Sequence, residues 1–286
     1  INASINRKEF KHFIQINISK KGRQVFIDKT PSQHVSEYIL SFMALAFTPE
    51  SVSLFRNAPQ ERRKFFNKII SFLNPKYFKD LQEFKKIIVH KNALLRSSNM
   101  NQLPIWNKLF ARSAKKLMEH RKEFVKQINL YLHDLFMELS GRSENLILIY
   151  EPSLNNNNLD ENNLLQQLES ITQKELHNGF SIIGPHRDEF FLKMNEKKDK
   201  DYFSQGEFRI TNLSLKMTIN RLLYEKYNFH PVLIFDDLFS ELDQEVVNYV
   251  INVLIKINNQ IFITSTSKPS FPLPGKCFKI QQGMVC

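Results

Sequence analysis

The run Val232-Leu233-Ile234-Phe235-Asp236-Asp237 restricts the fold more than any other stretch of the chain. Four consecutive apolar residues read as a strand buried on both faces, the kind found inside parallel sheets. Two carboxylates at its carboxyl end then fall at the crevice where open α/β sheets bind ligands. Adjacent acids at the lip of a dry sheet are unfavourable unless a cation or a proton offsets them. One reading is a Walker B strand, with Asp236 holding Mg²⁺ and Asp237 orienting or deprotonating an attacking water. The other is a buried strand with an acidic turn after it.

The neighbouring text extends the α/β reading. Glu245 to Lys256 reads as a helix and Gln260 to Thr266 as a second buried strand, which makes a β-α-β unit with a right-handed crossover. Lys279-Ile280 and Met284-Val285 around Gly283 read as a closing hairpin. Upstream, Ser204-Gln205-Gly206-Glu207 opens a helix that runs to about Tyr227. Ser204 and Glu207 have the spacing of a capping box. The same serine, a glycine and a helix N-terminus also make an anion site, and the two roles are compatible.

Towards the start, Phe10 to Ile18 and Gln24 to Asp28 read as strands around a turn at Lys20 to Arg23. This β-rich opening has no lead-in, so the expectation is that the sequence lacks its beginning. Residues 32–47 look helical up to Pro49. From 60 to 139 nearly everything reads as long amphipathic helices, with Leu109, Leu117, Phe124, Ile128 and Leu132 on one apolar stripe. Asn99 to Pro104 is the link between two of them, and Trp106 is a packing residue. Leu146 to Tyr150 returns to strand text, about Asn162 to Gln173 is helical, and Gly179 to Leu192 reads as strand, Gly-Pro turn and strand. The fold class expected is α/β: a mixed sheet with flanking helices and an inserted helical lobe at about 60–140. The expected divisions are a β-rich part at 1–55, a basic helical lobe at 56–142 and an α/β part at 143–286.

Charge is distributed unevenly. Of a net +11, residues 56–142 carry 19 lysines and arginines against 7 acids, whereas residues 143–286 carry 14 against 18. Such asymmetry points to a polyanion partner. Arg62, Arg63, Lys64, Lys115 and Lys116 are the candidate DNA contacts. No run of 18 apolar residues suggests a membrane span. The absence of a charged-then-apolar leader argues against secretion, and two cysteines, Cys277 and Cys286, suit a reducing cytoplasm and no disulfide framework.

The order Ser-Gln-Gly, helix, apolar run, Asp-Asp, Ser-Glu-Leu-Asp resembles the C-terminal half of an ABC/SMC-type ATPase head. More closely, the chain resembles the RecF family. The segments that carry the likeness are Phe47 to Glu50, Pro59 to Arg63, Leu103 to Trp106, Gly184-Pro185-His186-Arg187-Asp188, Ser204 to Gly206, Phe235 to Asp237 and Ser240 to Asp243. The resemblance implies an ATP-gated, DNA-binding homodimer that supports recombinational gap repair and the SOS response. Its implied partners are single-stranded and gapped or double-stranded DNA, RecO, RecR and RecA. It implies Asp236 as the Mg²⁺-binding acid and Asp237 as the catalytic acid that positions water. Ser204, Gln205 and Gly206 look like signature residues that contact the ATP of the other protomer, and Ser240 to Asp243 like the loop at the dimer seam. Thr264, Ser265 or Thr266 lies where relatives place a polar residue near the γ-phosphate; Thr264 is carried forward and the choice stays open. His186 and Arg187 are a family mark with no derived role.

One departure limits the expected chemistry. The 7 glycines of the chain include no G-x-x-x-x-G-K-[ST], the loop whose backbone N–H groups cradle phosphates. Such families are weak DNA-dependent ATPases, so this polypeptide alone is expected to show little or no ATPase. The competing reading is a non-enzymatic module that binds DNA or protein partners without nucleotide.

Overall fold

A computed structural model of the protein describes residues 2–7, 10–19, 22–32, 43–48, 53–56, 58–97, 101–154, 160–198, 203–237, 239, 242–266, 274–282 and 284–285. Strands β1 (Asn2–Arg7), β2 (Phe10–Ser19), β3 (Gly22–Ile27) and β4 (Thr30–Pro31) form an antiparallel meander. Strand β5 (Ala44–Phe47) follows, then four helices: α1 (Pro59–Leu73), α2 (Pro75–Arg96), α3 (Leu103–Asn129) and α4 (Leu132–Ser140). Strand β6 (Leu146–Glu151) leads through α5 (Glu161–Ser170) and α6 (Thr172–Asn178) to β7 (Glu189–Met194) and β8 (Lys197–Lys198), which pair antiparallel in the order β6-β7-β8. The chain then runs through α7 (Gln205–Tyr227), β9 (Val232–Asp236), α8 (Gln244–Lys256) and β10 (Ile261–Thr264) to a hairpin of β11 (Ile280–Gln281) and β12 (Met284–Val285).

The β-α-β unit expected from the sequence is present: β9 pairs parallel with β10 on one side and with β5 on the other. That second pairing corrects the helical reading of residues 32–47 for Ala44–Phe47; residues 33–42 lie outside the described residues. A short apolar run fits a buried strand as well as a helix, and pairing with a distant strand decides between them. Phe47 lies opposite Phe235, and their rings stack 4.4 Å apart. Burial is less even than the continuous apolar run predicts. Leu233 and Phe235 are fully buried, Val232 and Ile234 half-buried, and Phe262 on β10 is 53% exposed. The single mixed sheet is also corrected, because the described strands form four separate sheets. Ser181 to Ile183 form no strand, and Leu109 is exposed although Leu117, Phe124, Ile128 and Leu132 are buried. Trp106 packs on His90, their rings 4.7 Å apart.

Helix α7 is the central element, with every residue from Ile210 to Asn220 buried. A helix hydrophobic all round is the usual solution for such a place, yet α7 carries Thr211, Ser214 and Thr218. Each hydroxyl donates to the carbonyl four residues back, at 2.7, 2.7 and 2.8 Å, so the buried oxygens are satisfied within the helix.

A buried network holds the helices to β6 and β7. The Arg121 guanidinium donates to Asp188 Oδ2 and to the Pro185 carbonyl, both at 2.7 Å, to Tyr77 Oη at 3.1 Å and to Asn67 Oδ1 at 3.1 Å. Asp188 also accepts from the Tyr150 hydroxyl and from Ser153 N at 2.9 Å. Gly184 begins this loop at φ +125°, and a Cβ there would stand 2.5 Å from the Phe110 ring. Only glycine meets both demands. Removing one member of a buried pair strands the other charge. Arg121→Met is therefore expected to lower stability by about 3–5 kcal/mol, read from urea unfolding. Adding Asp188→Leu should lose less than the sum of the two single losses, because the pair is one interacting unit.

Candidate functional site

The acid pair stands at the carboxyl end of β9, as the apolar run predicts. Register places Thr264 opposite Asp236, and the Thr264 hydroxyl donates to Asp236 Oδ1 at 2.6 Å. Asp237 turns out of the strand at φ +49°, a left-handed conformation that aspartate tolerates better than most residues. Its N–H donates to both the carbonyl and the hydroxyl oxygen of Thr264, each at 3.2 Å. Two carboxylates and one hydroxyl thus lie within one turn of backbone, held by the parallel pairing. Of the three candidate hydroxyls, Thr264 is the one that touches Asp236; Ser265 and Thr266 follow the strand and are exposed.

The second cluster is at the start of α7. Ser204 is the N-cap: its Oγ accepts from Glu207 N at 3.2 Å and Glu207 Oε2 accepts from Ser204 N at 2.8 Å, which completes the capping box. Glu207 also pairs with Arg142 at 3.1 Å. Burial acts to raise the Glu207 carboxyl, but the bonds from Ser204 and Arg142 outweigh it and hold the group below its ordinary range. Ser204, Gln205 and Gly206 are all exposed. Gly206 has an ordinary backbone conformation, and a Cβ there would meet nothing within 4 Å. Glycine inside a helix costs about 0.5–1 kcal/mol relative to alanine, and nothing among the described residues requires it. Gly206→Ala is expected to raise the thermal stability of the chain by that amount, measured by calorimetry.

Asp243 is the N-cap of α8 and is exposed, with no side-chain capping bond; Ser240 lies outside the described residues. Residues that the sequence reading missed connect the two clusters. Arg209, in the first turns of α7, is close enough for Asp237 to stabilise its charge, against burial and the neighbouring Arg56. Arg56 itself lies over the Phe208 ring, 4.4 Å from its centre. An arginine four residues after Gln205 was the available signal.

Lys216 fastens α7 to the strands that bear the acids. Its ammonium group donates to the Ala46 carbonyl at 2.7 Å and lies 5.1 Å from the centre of the Phe47 ring, which stacks on Phe235. The residue is 5% exposed, and burial pulls its pKa down to about 7. Below that pH the folded state holds a buried charge. Between about 7 and the free-lysine value near 10.4, the unfolded chain binds more protons than the folded one. Lys216 therefore contributes a rise in stability with pH across this window, by at most about 1.4 kcal/mol per unit. Lys216→Met is expected to remove that rise in urea unfolding followed from pH 7 to 10.

The basic candidates do not share one environment. Arg62 is 2% exposed, donates to the Phe55 carbonyl at 2.9 Å and pairs with Glu189 at 2.8 Å. This corrects its reading as a DNA contact: the guanidinium is committed to the interior, beside the Phe66–Phe190 stack at 4.4 Å. Arg63 is half-buried and donates to the Asp188 carbonyl at 2.9 Å. Lys64 is exposed and pairs with Glu61, and half-buried Lys116 lies 3.5 Å from Glu83. Lys115 is half-buried. His186 takes a structural place. It stays neutral because burial pushes its pKa to about 4, and its Nε2–H donates to the Ser181 carbonyl at 3.0 Å.

The acid pair at the end of a central parallel strand, the capped helix and the helices between β5 and β6 place the chain in the α/β class. Comparison with known proteins narrows this. The chain is 31% identical over 264 residues to the DNA replication and repair protein RecF of Listeria monocytogenes, an alignment covering 89% of this chain and 71% of that protein. It is 29% identical over 280 residues to that of Geotalea uraniireducens, covering 95% and 77%. A solved structure of the recombination mediator protein RecF with ATP superposes with a TM-score of 0.83 at 26% identity, covering 96% of this chain and 76% of that one. No protein-family model matches. The chain belongs to the RecF family of DNA replication and repair proteins. Among the described residues no helix is long and apolar enough to cross a membrane.

Proposed function

We propose that this chain is the Walker B and signature part of an ATP-gated, DNA-binding RecF-type protein of recombinational gap repair. The observation that carries the reading is the Asp236–Thr264 hydrogen bond, which gathers two acids and a hydroxyl at the end of β9. Hard oxygen donors of this kind suit Mg²⁺, and Asp236, exposed at the strand end, is the acid that would hold it. Bound there, the ion would neutralise phosphate charge. Asp237 would orient water, its backbone being fixed by the two bonds from its N–H to Thr264. Ser204, Gln205 and Gly206 would meet the γ-phosphate carried by a second protomer, and the exposed, sterically unneeded glycine supports that approach from outside the chain. Asp243 would lie at the same seam.

DNA is the proposed polyanion, with Arg63, Lys64, Lys115 and Lys116 among its contacts. Single-stranded or gapped DNA, an SOS-linked role, a cytoplasmic location and work alongside RecO, RecR and RecA complete the reading. The solved relative's assignment to the RecFOR pathway supports the partnership. A second reading, DNA or protein binding without nucleotide, is favoured by the lack of a G-x-x-x-x-G-K-[ST] motif in the 286 residues.

One fusion separates the two. The chain is joined behind a segment that bears a G-x-x-x-x-G-K-[ST] loop, and its mass in solution is measured with and without Mg²⁺ and ATP. ATP-dependent dimerisation that Asp236→Asn abolishes is the expected result. No nucleotide response would leave the second reading. For the DNA part, log affinity is expected to fall almost linearly with log salt; an affinity indifferent to salt would remove the basic surface from the account.

A further inference from the structure

The Gly184-Pro185-His186-Arg187-Asp188 motif is left over from the site above, and its surroundings point to a ligand. The loop from Gly179 to Asp188 is closed on itself. His186 bonds to the Ser181 carbonyl at 3.0 Å, Arg187 N donates to the Gly184 carbonyl at 2.7 Å, and Gly184 N donates to Ser153 Oγ at 2.7 Å. Ser181 N is held by Asn92 at 2.8 Å. Of these ten residues the two exposed ones are Phe180 and Arg187, and they meet: the guanidinium lies 5.4 Å from the centre of a ring that is 41% exposed.

More positive charge stands around them. Arg63 reaches the carbonyl of Asp188, the residue next to Arg187, and the exposed Arg96 packs its Cγ 3.3 Å from where a Gly179 Cβ would be. Three carboxylates of the neighbourhood face inward, while Glu151, opposite Glu189, is exposed. Asp188 is held by Arg121, Glu175 by Lys91 at 2.8 Å and Glu189 by Arg62. Among the described residues no carboxylate pairs with Arg187 or Arg96. Like charges gathered around an open aromatic ring are unfavourable in the free protein and complementary to an anion with a flat face.

We infer that Phe180 and Arg187, backed by Arg63 and Arg96, form a contact for single-stranded nucleic acid, the ring stacking an unpaired base and the arginines receiving the adjacent phosphates. Exposed aromatic rings beside arginines are how proteins grip unstacked strands, and a base within a duplex has no free face to offer. The inference rests on the DNA reading above and adds a site and a strand preference to it. These hydrogen bonds hold the backbone of the loop before binding, so less ordering is left to oppose it.

The test uses the chain as it stands. Fluorescein-labelled oligothymidylate and a labelled duplex hairpin of equal nucleotide count are titrated across a range of salt. Phe180→Ala is expected to weaken oligothymidylate binding about tenfold, in line with one lost stacking contact, without changing the salt slope or duplex binding. Phe180→Tyr should retain affinity. Arg187→Ala should flatten the slope for the single strand by about 0.7. Arg187→Lys should keep that slope and still bind more weakly, and it decides the matter if Phe180→Ala does not fold. Variants that bind oligothymidylate like the parent chain, or a Phe180→Ala loss shared equally by the duplex, overturn the inference. A parent chain that binds the duplex alone overturns it while leaving the DNA reading intact, and one that binds neither overturns both.

Discussion

The Arg121–Asp188 pair is the interaction on which the arrangement of helices and strands depends. Two charges removed from water are unfavourable unless nearly every hydrogen-bonding position is used. Here the guanidinium is shared among Asp188, Pro185, Tyr77 and Asn67, and the carboxylate among Arg121, Tyr150 and Ser153. These partners come from α1, α2, α3, β6 and the loop before β7. The strict geometry of a buried, fully bonded pair therefore fixes five segments at once, which apolar packing alone would leave free to slide. Lys91 with Glu175 does the same for α2 and α6.

From that frame α7 links the Ser204 cap to the strands that bear the acids. Its first residue follows the Ser204 cap, its middle is clamped by Lys216 to β5, and β5 shares the Phe47–Phe235 stack with the strand that bears the acids. A push on the exposed N-terminus of α7 would meet no soft layer before the end of β9, because the helix between is buried throughout.

Much of this was legible in the sequence, for reasons that differ by element. The helical lobe announces itself by length and period, and α7 by its capping box. Strand β9 does so by an apolar run ending in two acids. Ala44–Phe47 did not, because four apolar residues before Pro49 carry no period of their own and their partner strand comes far later. The same blindness to distance put Arg62 on the surface: its cluster of basic neighbours is local, but Glu189 is 127 residues away. Three hydroxyls in a row at 264–266 look alike in the sequence, and parallel register sets Thr264 opposite Asp236. Roles of Phe180 and Arg187 were hidden because only folding places the two ends of their loop together.

The parallel pairing of β5 with β9 has a consequence for how the acid pair comes into being. Ala44 meets Val232 across roughly 190 intervening residues, a closure that by itself opposes folding by about 4–5 kcal/mol. The helical lobe lies wholly within that interval, and once formed it shortens the span that must be closed. On a ribosome β5 emerges first and waits while the lobe is made, with Phe47 unpartnered until Phe235 arrives. The two carboxylates are thus brought to their places late in the life of the nascent chain, after the helices that frame them already stand.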